Sequence, residues 1–323
     1  MKLAERWEQF VAPPEGIVLT IGNFDGVHLG HARIVAHARE VAQRFGAPVV
    51  AITFEPHPLA ILAPERAPAR LTTPTEKLAL LKRSGVDHVI VLRSEPELLA
   101  TEAEDFLATL VARGRPRAIV EGPDFNFGRA RRGSIETLQR HAQEWGYEVH
   151  RVPAVHCEAL PTRPTVSSSS IRQALRDGRV AEAAAMLGRP YRITGTIGYG
   201  AGRGARLGIP TANLEGIAHM LPQEAVYACA AQLEDGHLYP AAVNVGPQPT
   251  FEGERCQVEV HILDFGGDLR GRQLGLHFLA RLRSQIRFST SEELVQQIRR
   301  DVEAVHSHAA EIAALERSAP LPL

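Results

Sequence analysis

The stretch Gly16-Ile17-Val18-Leu19-Thr20-Ile21-Gly22, running on through Asn23-Phe24-Asp25-Gly26-Val27-His28-Leu29-Gly30-His31, decides the fold of the first half of this sequence. Its first seven residues form a short, largely apolar strand. The Ala-rich segment His31–Phe45 that follows carries helical spacing. A strand that passes through a glycine-rich turn straight into a helix suits phosphate binding: the glycines let backbone approach the anion, and the helix N-terminus favours negative charge. His28 and His31 are three apart, so in the first helical turn they share one face. Two imidazoles there can donate hydrogen bonds to an α-phosphate as charge builds on it. The plainer alternative is a glycine-rich turn with two surface histidines; the preceding strand and the glycine framework favour the chemical reading.

Outward from this stretch, strand and helix patterns alternate. Pro48–Phe54, His88–Leu92, Arg117–Glu121 and Tyr147–Val152 read as strands; Glu76–Ser84, Ala103–Arg113 and Ser134–Trp145 read as helices. Short apolar strands separated by helices predict a doubly wound parallel sheet covered on both faces. Ligands in such α/β folds lie at the carboxyl ends of strands, which points to the neighbourhood of Gly22, Phe54 and Glu121.

Beyond Ser167 the pattern changes. Two helical pieces, Ser170–Asp177 and Val180–Leu187, lead to a hinge at Gly188-Arg189-Pro190. After it come the strands Tyr191–Ile197, Ala225–Leu233, Tyr239–Val245, Gln257–Leu263 and Leu274–Leu282, with glycines and prolines but no helical pattern between them. This predicts a small antiparallel β-barrel. One long amphipathic helix, Ser291 to about Leu315, closes the chain, with Ser291-Glu292-Glu293 as its cap and acidic first turn. The expected domains are 1–187 and 188–323.

The 323 residues suit two domains. Thirty-six Lys and Arg against 37 Asp and Glu give no general attraction to nucleic acid or to a membrane surface. Cys157, Cys229 and Cys256 are far apart and form no CxxC pair, which argues against a disulfide framework or zinc site and for a reducing compartment. The start has no long apolar core and no apolar run approaches the roughly 20 residues that span a bilayer, so a cytoplasmic location is expected. Composition leaves the oligomeric state open.

Three more segments of the first half carry polar groups at strand or helix ends. Phe54-Glu55-Pro56-His57-Pro58 is a proline-fixed turn presenting His57. In Glu121-Gly122-Pro123-Asp124-Phe125-Asn126-Phe127-Gly128, two aromatics flank a polar residue, suited either to a flat ring system or to core packing. Arg129, Arg131 and Arg132 beside it can meet phosphates or stay solvated. Ser167-Ser168-Ser169-Ser170-Ile171-Arg172 reads as N-capping serines, or as hydroxyls and an Arg that grip β- and γ-phosphates. In this order, over about residues 15–187, the segments resemble the adenylyltransferase module of the bifunctional prokaryotic riboflavin kinase/FAD synthetase family. The resemblance implies ATP at Gly22, Asn23, Phe24, Asp25, Gly26, His28, His31, Ser168, Ser169 and Arg172. It implies FMN near His57, Pro58, Asp124, Phe125, Asn126 and Phe127. Pro123 departs from the usual loop by removing a backbone donor.

In the second half, Leu207-Gly208-Ile209-Pro210-Thr211-Ala212-Asn213 offers a hydroxyl and an amide oxygen, hard ligands suited to Mg²⁺. Asn244–Phe251 is a second stiff loop. Glu259 follows on a strand, sharing a face with His261, as a general-base candidate or an exposed strand carboxylate. With Asp268-Leu269-Arg270-Gly271, these segments resemble the riboflavin kinase module of the same family over about 188–305. The resemblance implies Mg-ATP at Gly208, Pro210, Thr211 and Asn213, with Thr211 and Asn213 the metal ligands, and Glu259 activating the ribityl 5′-hydroxyl. Two positions depart from the pattern: Ala205 stands where an Arg is expected, with Arg203 and Arg206 nearby, and Arg270 replaces a Tyr.

The implied activities are phosphorylation of riboflavin to FMN by the barrel and adenylylation of FMN to FAD, with pyrophosphate released, by the α/β domain. The expected partners are therefore riboflavin, FMN and ATP. Two rivals remain at this level: a cytidylyl- or pantetheine-type nucleotidyltransferase with an unrelated β-domain, and a non-catalytic flavin- or nucleotide-binding regulator.

Overall fold

The computed structural model describes residues 2–4, 9–198, 210–250, 253–318, 320, 321 and 323. It divides into two compact units, residues 1–157 with 163–167, and residues 158–162 with 168–323. The division by compactness falls ahead of the 187/188 boundary suggested by the Gly188-Arg189-Pro190 turn.

In the first unit, strands β1 (Lys2–Ala4), β2 (Ile17–Ile21), β3 (Val49–Glu55), β4 (His88–Arg93), β5 (Pro116–Glu121) and, after the short ribbon β6 (Asn126–Phe127) and β7 (Gly133–Ser134), β8 (Glu148–Arg151) are joined by helices α1 (Leu29–Phe45), α2 (Pro58–Leu62), α3 (Pro74–Ser84), α4 (Pro96–Leu99), α5 (Ala103–Gly114) and α6 (Ile135–Trp145). The sheet order is β1-β4-β3-β2-β5-β8, and every neighbouring pair is parallel. From the central β2 the chain winds outward on one side through β3 and β4. It then crosses to the other side for β5 and β8, so the topological switch lies between β2 and β5. A crevice forms at the carboxyl ends of strands where the winding reverses. The turn after β2 and the loop after β5 are the two segments that border it.

The strands are apolar because both sheet faces are covered. Ile17, Leu19, Ile52, Ile90 and Ile119 form one core with Leu107 and Leu110 of α5 and Leu138 of α6. Val35, Ala38, Val41 and Ala42 are the buried face of α1. Edge strand β1 left no sequence signal because three residues carry no periodicity.

The second unit begins with α7 (Ser168–Arg176) and α8 (Val180–Leu187). The barrel strands are β9 (Tyr191–Ile197), β10 (Ala212–Glu215), β11 (Ala225–Gln232), β12 (Leu238–Thr250), β13 (Gly253–Ile262) and β14 (Gln273–Arg283). They close in the order β10-β13-β12-β11-β14-β9, with all pairs antiparallel. All eight residues of β11, Ala-Val-Tyr-Ala-Cys-Ala-Ala-Gln, are buried. Tyr227 packs edge-on against Phe278 inside the barrel, while Ala228 and Ala230 face the closing helices outside.

The single closing helix expected from Ser291 to about Leu315 is instead two: α9 (Ser291–His306) and α10 (Ala309–Arg317). The Ser307 hydroxyl donates back to the Ala304 carbonyl at 2.7 Å, and His308 becomes the cap of the second helix. The break lets Val305 pack on Ala228 while Ile312 reaches Ala230 and Leu238. One straight helix satisfies only one of these contacts.

Candidate functional site

The turn after β2 is built with unusual backbone. Phe24 (φ 47°), Gly26 (φ 83°) and Val27 (φ 37°) all take positive φ, a cost of order 1–3 kcal/mol for each non-glycine residue. Side chains from elsewhere hold it. Asp25 accepts hydrogen bonds from the Leu71 and Thr72 amides and from the Thr72 hydroxyl, each at 3.1 Å. The same hydroxyl accepts from the Gly26 amide at 3.1 Å. Asp25 is thus turned towards residues 71 and 72, and Thr72 is a supporting residue that sequence reading missed.

His28 caps α1. Its Nδ1 accepts from the His31 amide, and the His31 Nδ1 accepts from the His28 amide, both at 3.4 Å. The rings stack with centroids 3.7 Å apart and planes 17° from parallel, and Phe24 meets His31 edge-on. A Cβ on Gly30 would come within 3.0 Å of the His28 ring, so glycine is what allows this approach. A neutral ring whose Nδ1 accepts carries its proton on Nε2. Both rings therefore direct an Nε2–H donor away from the helix start, the polarity an anion requires.

His57 caps α2 through Nδ1, which accepts from Leu59 N at 3.1 Å, and its Nε2 lies 3.1 Å from the Asn23 side-chain amide. The structure thus joins two of the expected residues, with Pro58 as the first residue of α2. Beside them, Arg70 donates two hydrogen bonds to Glu55, at 3.1 and 2.6 Å, and Lys77 donates to the Phe54 carbonyl at 3.1 Å. Burial opposes ionisation of Glu55, but Arg70 and Lys77 outweigh it and hold its carboxyl below the usual range. Asn23, Asp25, His57, Arg70, Thr72 and Lys77 line a cavity of about 90 Å³. Nothing in the sequence marked Arg70 or Lys77, because their partner Glu55 is reached only through the fold.

The loop after β5 buries its two aromatics to different depths. Phe127 is buried in the core beside Phe106, and Gly133 leaves room for its ring. Phe125 is half-buried and stacks on Phe127 at 5.4 Å. Asp124 and Asn126 are exposed, with the Asn126 amide donating to the Asp124 carbonyl at 2.7 Å. Arg129 pairs with Glu102 at 3.1 Å. At the switch point, the buried Glu121 carboxylate group accepts from the Ile21 amide at 2.6 Å. Burial pushes its pKa well up. Ser168, Ser169 and the buried Arg172 lie in the first turns of α7, in the second unit.

In the barrel, Asn213 of β10 is the register partner of Glu259 of β13, which is in turn the partner of Asn244 of β12. Side chains at paired positions of adjacent antiparallel strands project to the same face, so an amide, a carboxylate and an amide stand in a row. The Asn244 amide donates to Glu259 at 3.4 Å, and Gln285 donates to the Asn244 oxygen at 2.7 Å and to the Val245 carbonyl at 2.9 Å. The His261 Nδ1–H donates to the Pro210 carbonyl at 2.8 Å, which ties the exposed Pro210-Thr211 segment to β13. Arg270 forms a paired hydrogen bond with Asp268 and lowers that carboxyl to about 2. Gly208, with Arg203, Ala205 and Arg206, lies outside the described residues.

A histidine-headed helix at a parallel-sheet switch point, and a barrel with an Asn–Glu–Asn row, together define a two-site, nucleotide-handling transferase. Residues 11–169 match the FAD synthetase family and residues 187–309 the riboflavin kinase family. The bifunctional riboflavin kinase/FMN adenylyltransferase of Escherichia coli K12 is 38% identical, covering 90% of this chain and 92% of that protein. That of Pseudomonas fluorescens is 37% identical, covering 91% and 94%. A crystal structure described as a macrolide-efflux protein from Streptococcus pneumoniae superposes with a TM-score of 0.84 at 30% identity, covering 94% and 98%. In the present chain, no helix among the described residues is long and apolar enough to cross a membrane. The chain belongs to the bifunctional riboflavin kinase/FMN adenylyltransferase family and carries both transferase modules, FAD synthetase first and riboflavin kinase second.

Proposed function

We propose that this chain makes flavin coenzymes in two steps at two separate sites: the barrel phosphorylates riboflavin with ATP, and the parallel-sheet unit then joins the product FMN to AMP. The observation that carries this division is that each unit holds its own reactive constellation, His28 with His31 in one and Asn213 with Glu259 in the other.

In the barrel, Glu259 takes the proton of the ribityl 5′-hydroxyl as that oxygen attacks the γ-phosphorus of ATP, and ADP leaves. Asn244 and Gln285 keep the carboxylate aimed. The Asn213 amide oxygen, beside that carboxylate, and the Thr211 hydroxyl two positions before it are hard donors, a set that fits Mg²⁺. When bound, the ion neutralises phosphate charge; Thr211 and Asn213 would hold it, with Pro210 fixing the segment that carries them, and the family resemblance adds Gly208 to this site.

In the parallel-sheet unit, a phosphate oxygen of FMN attacks the α-phosphorus of ATP, and the bond to the β-phosphate breaks to release pyrophosphate. The His28 and His31 Nε2–H groups stabilise the charge that develops on the α-phosphate. The Gly22–Gly26 backbone and the Asn23 side chain border the nucleotide, and the family resemblance assigns Ser168, Ser169 and Arg172 to its outer phosphates. His57, Pro58, Asp124, Phe125 and Asn126 border the flavin, with the buried Phe127 supporting Phe125 from the core. Buried, unpaired Cys157 and Cys229 are consistent with a reducing, cytoplasmic setting. The domain assignment 1–187 and 188–323 belongs to the same reading.

The test is to incubate the pure protein with riboflavin, ATP and Mg²⁺ and to follow flavins by chromatography. FMN appears first and FAD follows, with pyrophosphate released only in the second step. Formation of FAD without any capacity to make or use FMN overturns the scheme.

A further inference from the structure

His37 on α1 and His150 on the edge strand β8 belong to neither site. The His37 Nε2 lies 3.2 Å from the His150 Nδ1, with ring centroids 5.2 Å apart and planes 56° from parallel. The remaining nitrogen of each ring meets a carboxylate: His37 Nδ1 lies 3.2 Å from Glu40, and His150 Nε2 lies 2.8 Å from Glu148. An ionised carboxylate only accepts hydrogen bonds, so those two nitrogens carry the ring protons. In neutral rings the facing nitrogens are then both bare lone pairs. Two lone pairs at that separation repel unless something positive lies between them, either one proton or one metal ion.

The geometry admits the metal. Two imidazole nitrogens bound to a tetrahedral ion at about 2.0–2.1 Å stand roughly 3.3 Å apart. A direct N–H hydrogen bond spans about 2.7–3.2 Å, so the separation accommodates either, and the arrangement of the outer nitrogens favours the ion. Carboxylates on the outer nitrogens are also what orients metal-binding histidines and raises their basicity. Local structure supplies this pattern on both elements: His37 and Glu40 are one helical turn apart, and Glu148 and His150 share a face of β8. Arg44 donates to both Glu148 oxygens at 3.0 Å. Its charge opposes a cation, but it also fixes the carboxylate that orients His150. The imidazoles are 30% and 20% exposed, so water can complete the coordination.

We propose that His37 and His150 form a binding site for a borderline divalent transition-metal ion of the Zn²⁺ or Ni²⁺ type. Two ring nitrogens and water hold it, and it ties α1 to β8. No group of three or more metal-ligating side chains occurs among the described residues, so the bound ion exchanges readily. Mg²⁺, which favours oxygen ligands, is not taken up here.

The test is calorimetric titration of the full chain, cleared of metal with a chelator, using Ni²⁺ and Zn²⁺ in turn and Mg²⁺ as the control. One binding event is expected in the wild type and is lost in His37→Gln and in His150→Gln, with no matching event for Mg²⁺. Glu148→Gln weakens the event by roughly 10- to 100-fold, the range for loss of a supporting carboxylate. Unchanged FAD formation shows that these variants are folded. If the wild type takes up neither ion, or binds both as the two histidine variants do, the proposal is overturned and the facing nitrogens share a proton.

Discussion

Asn213 and Glu259 are register partners on neighbouring antiparallel strands of the barrel, although 46 positions separate them in the chain. The pairing sets an amide oxygen beside a carboxylate on one face, which is the arrangement needed to bring a metal-bound phosphate next to a proton acceptor. Glu259→Gln keeps the shape and removes the basicity. Riboflavin phosphorylation is expected to fall by roughly a hundredfold or more while ATP and riboflavin still bind. FAD synthesis from supplied FMN persists. Wild-type FMN formation in this variant would show that the base lies elsewhere or that the transition state is loose enough to need none.

His28 has two tasks that substitution can separate. Its Nδ1 caps α1, and its Nε2–H is the donor assigned to the α-phosphate. His28→Ala is expected to slow FAD formation by several-fold to roughly a thousandfold and to cost about 1 kcal/mol of stability through the lost cap. His28→Asn, which retains a capping acceptor, recovers most of the stability and none of the rate. His31→Ala lowers the rate over the same range, and riboflavin phosphorylation stays unchanged in all three. Urea unfolding and initial rates, measured on the same preparations, check both halves of the prediction.

Glu121 makes stability depend on pH in a direction opposite to that of a paired surface carboxylate. Burial raises its pKa in the folded protein, so above the unfolded value near 4.5 the folded state binds the extra proton. The stabilisation is complete below that value and is lost as pH rises through the elevated folded pKa, with a slope of at most about 1.4 kcal/mol per pH unit. Glu121→Gln keeps an oxygen for the Ile21 amide and does not titrate. The unfolding free energy of the variant is therefore expected to gain on that of the wild type as pH rises above the unfolded value near 4.5. Two parallel curves would place the proton elsewhere.

Cutting the chain at two points tests where the adenylyltransferase ends. A fragment of residues 1–187 keeps Ser168, Ser169 and Arg172 and is expected to convert FMN to FAD; a fragment of residues 1–167 lacks them and is not. In the complementary pieces, α8 covers part of β9 and β14, so residues 168–323 should unfold at a higher temperature than residues 188–323. Equal turnover by the two N-terminal fragments would remove the α7 residues from the nucleotide site.

The sequence by itself determined the class of both units. Runs such as Ile17–Ile21 and residues 49–53 are buried on both faces, so each strand is largely apolar and visible as a unit. The turn from Gly22 to His31 announced itself because its glycines and histidines are contiguous. Local spacing also set the His28–His31 pair, since residues three apart in a first helical turn must be neighbours. What only the tertiary structure decided is everything that joins distant positions. Phe127 reads like Phe125 in the sequence, yet Phe127 is the one fully buried, beside Phe106, while Phe125 stacks on it and stays half-buried. Asp25 looked as free to meet a ligand as Asn23 until the fold brought the amides of Leu71 and Thr72 against it. The Asn213–Glu259–Asn244 row, its buttress Gln285, and the approach of His150 to His37 depend on strand register and helix packing. Those are fixed by burial summed over many side chains, and no local pattern of residues encodes them.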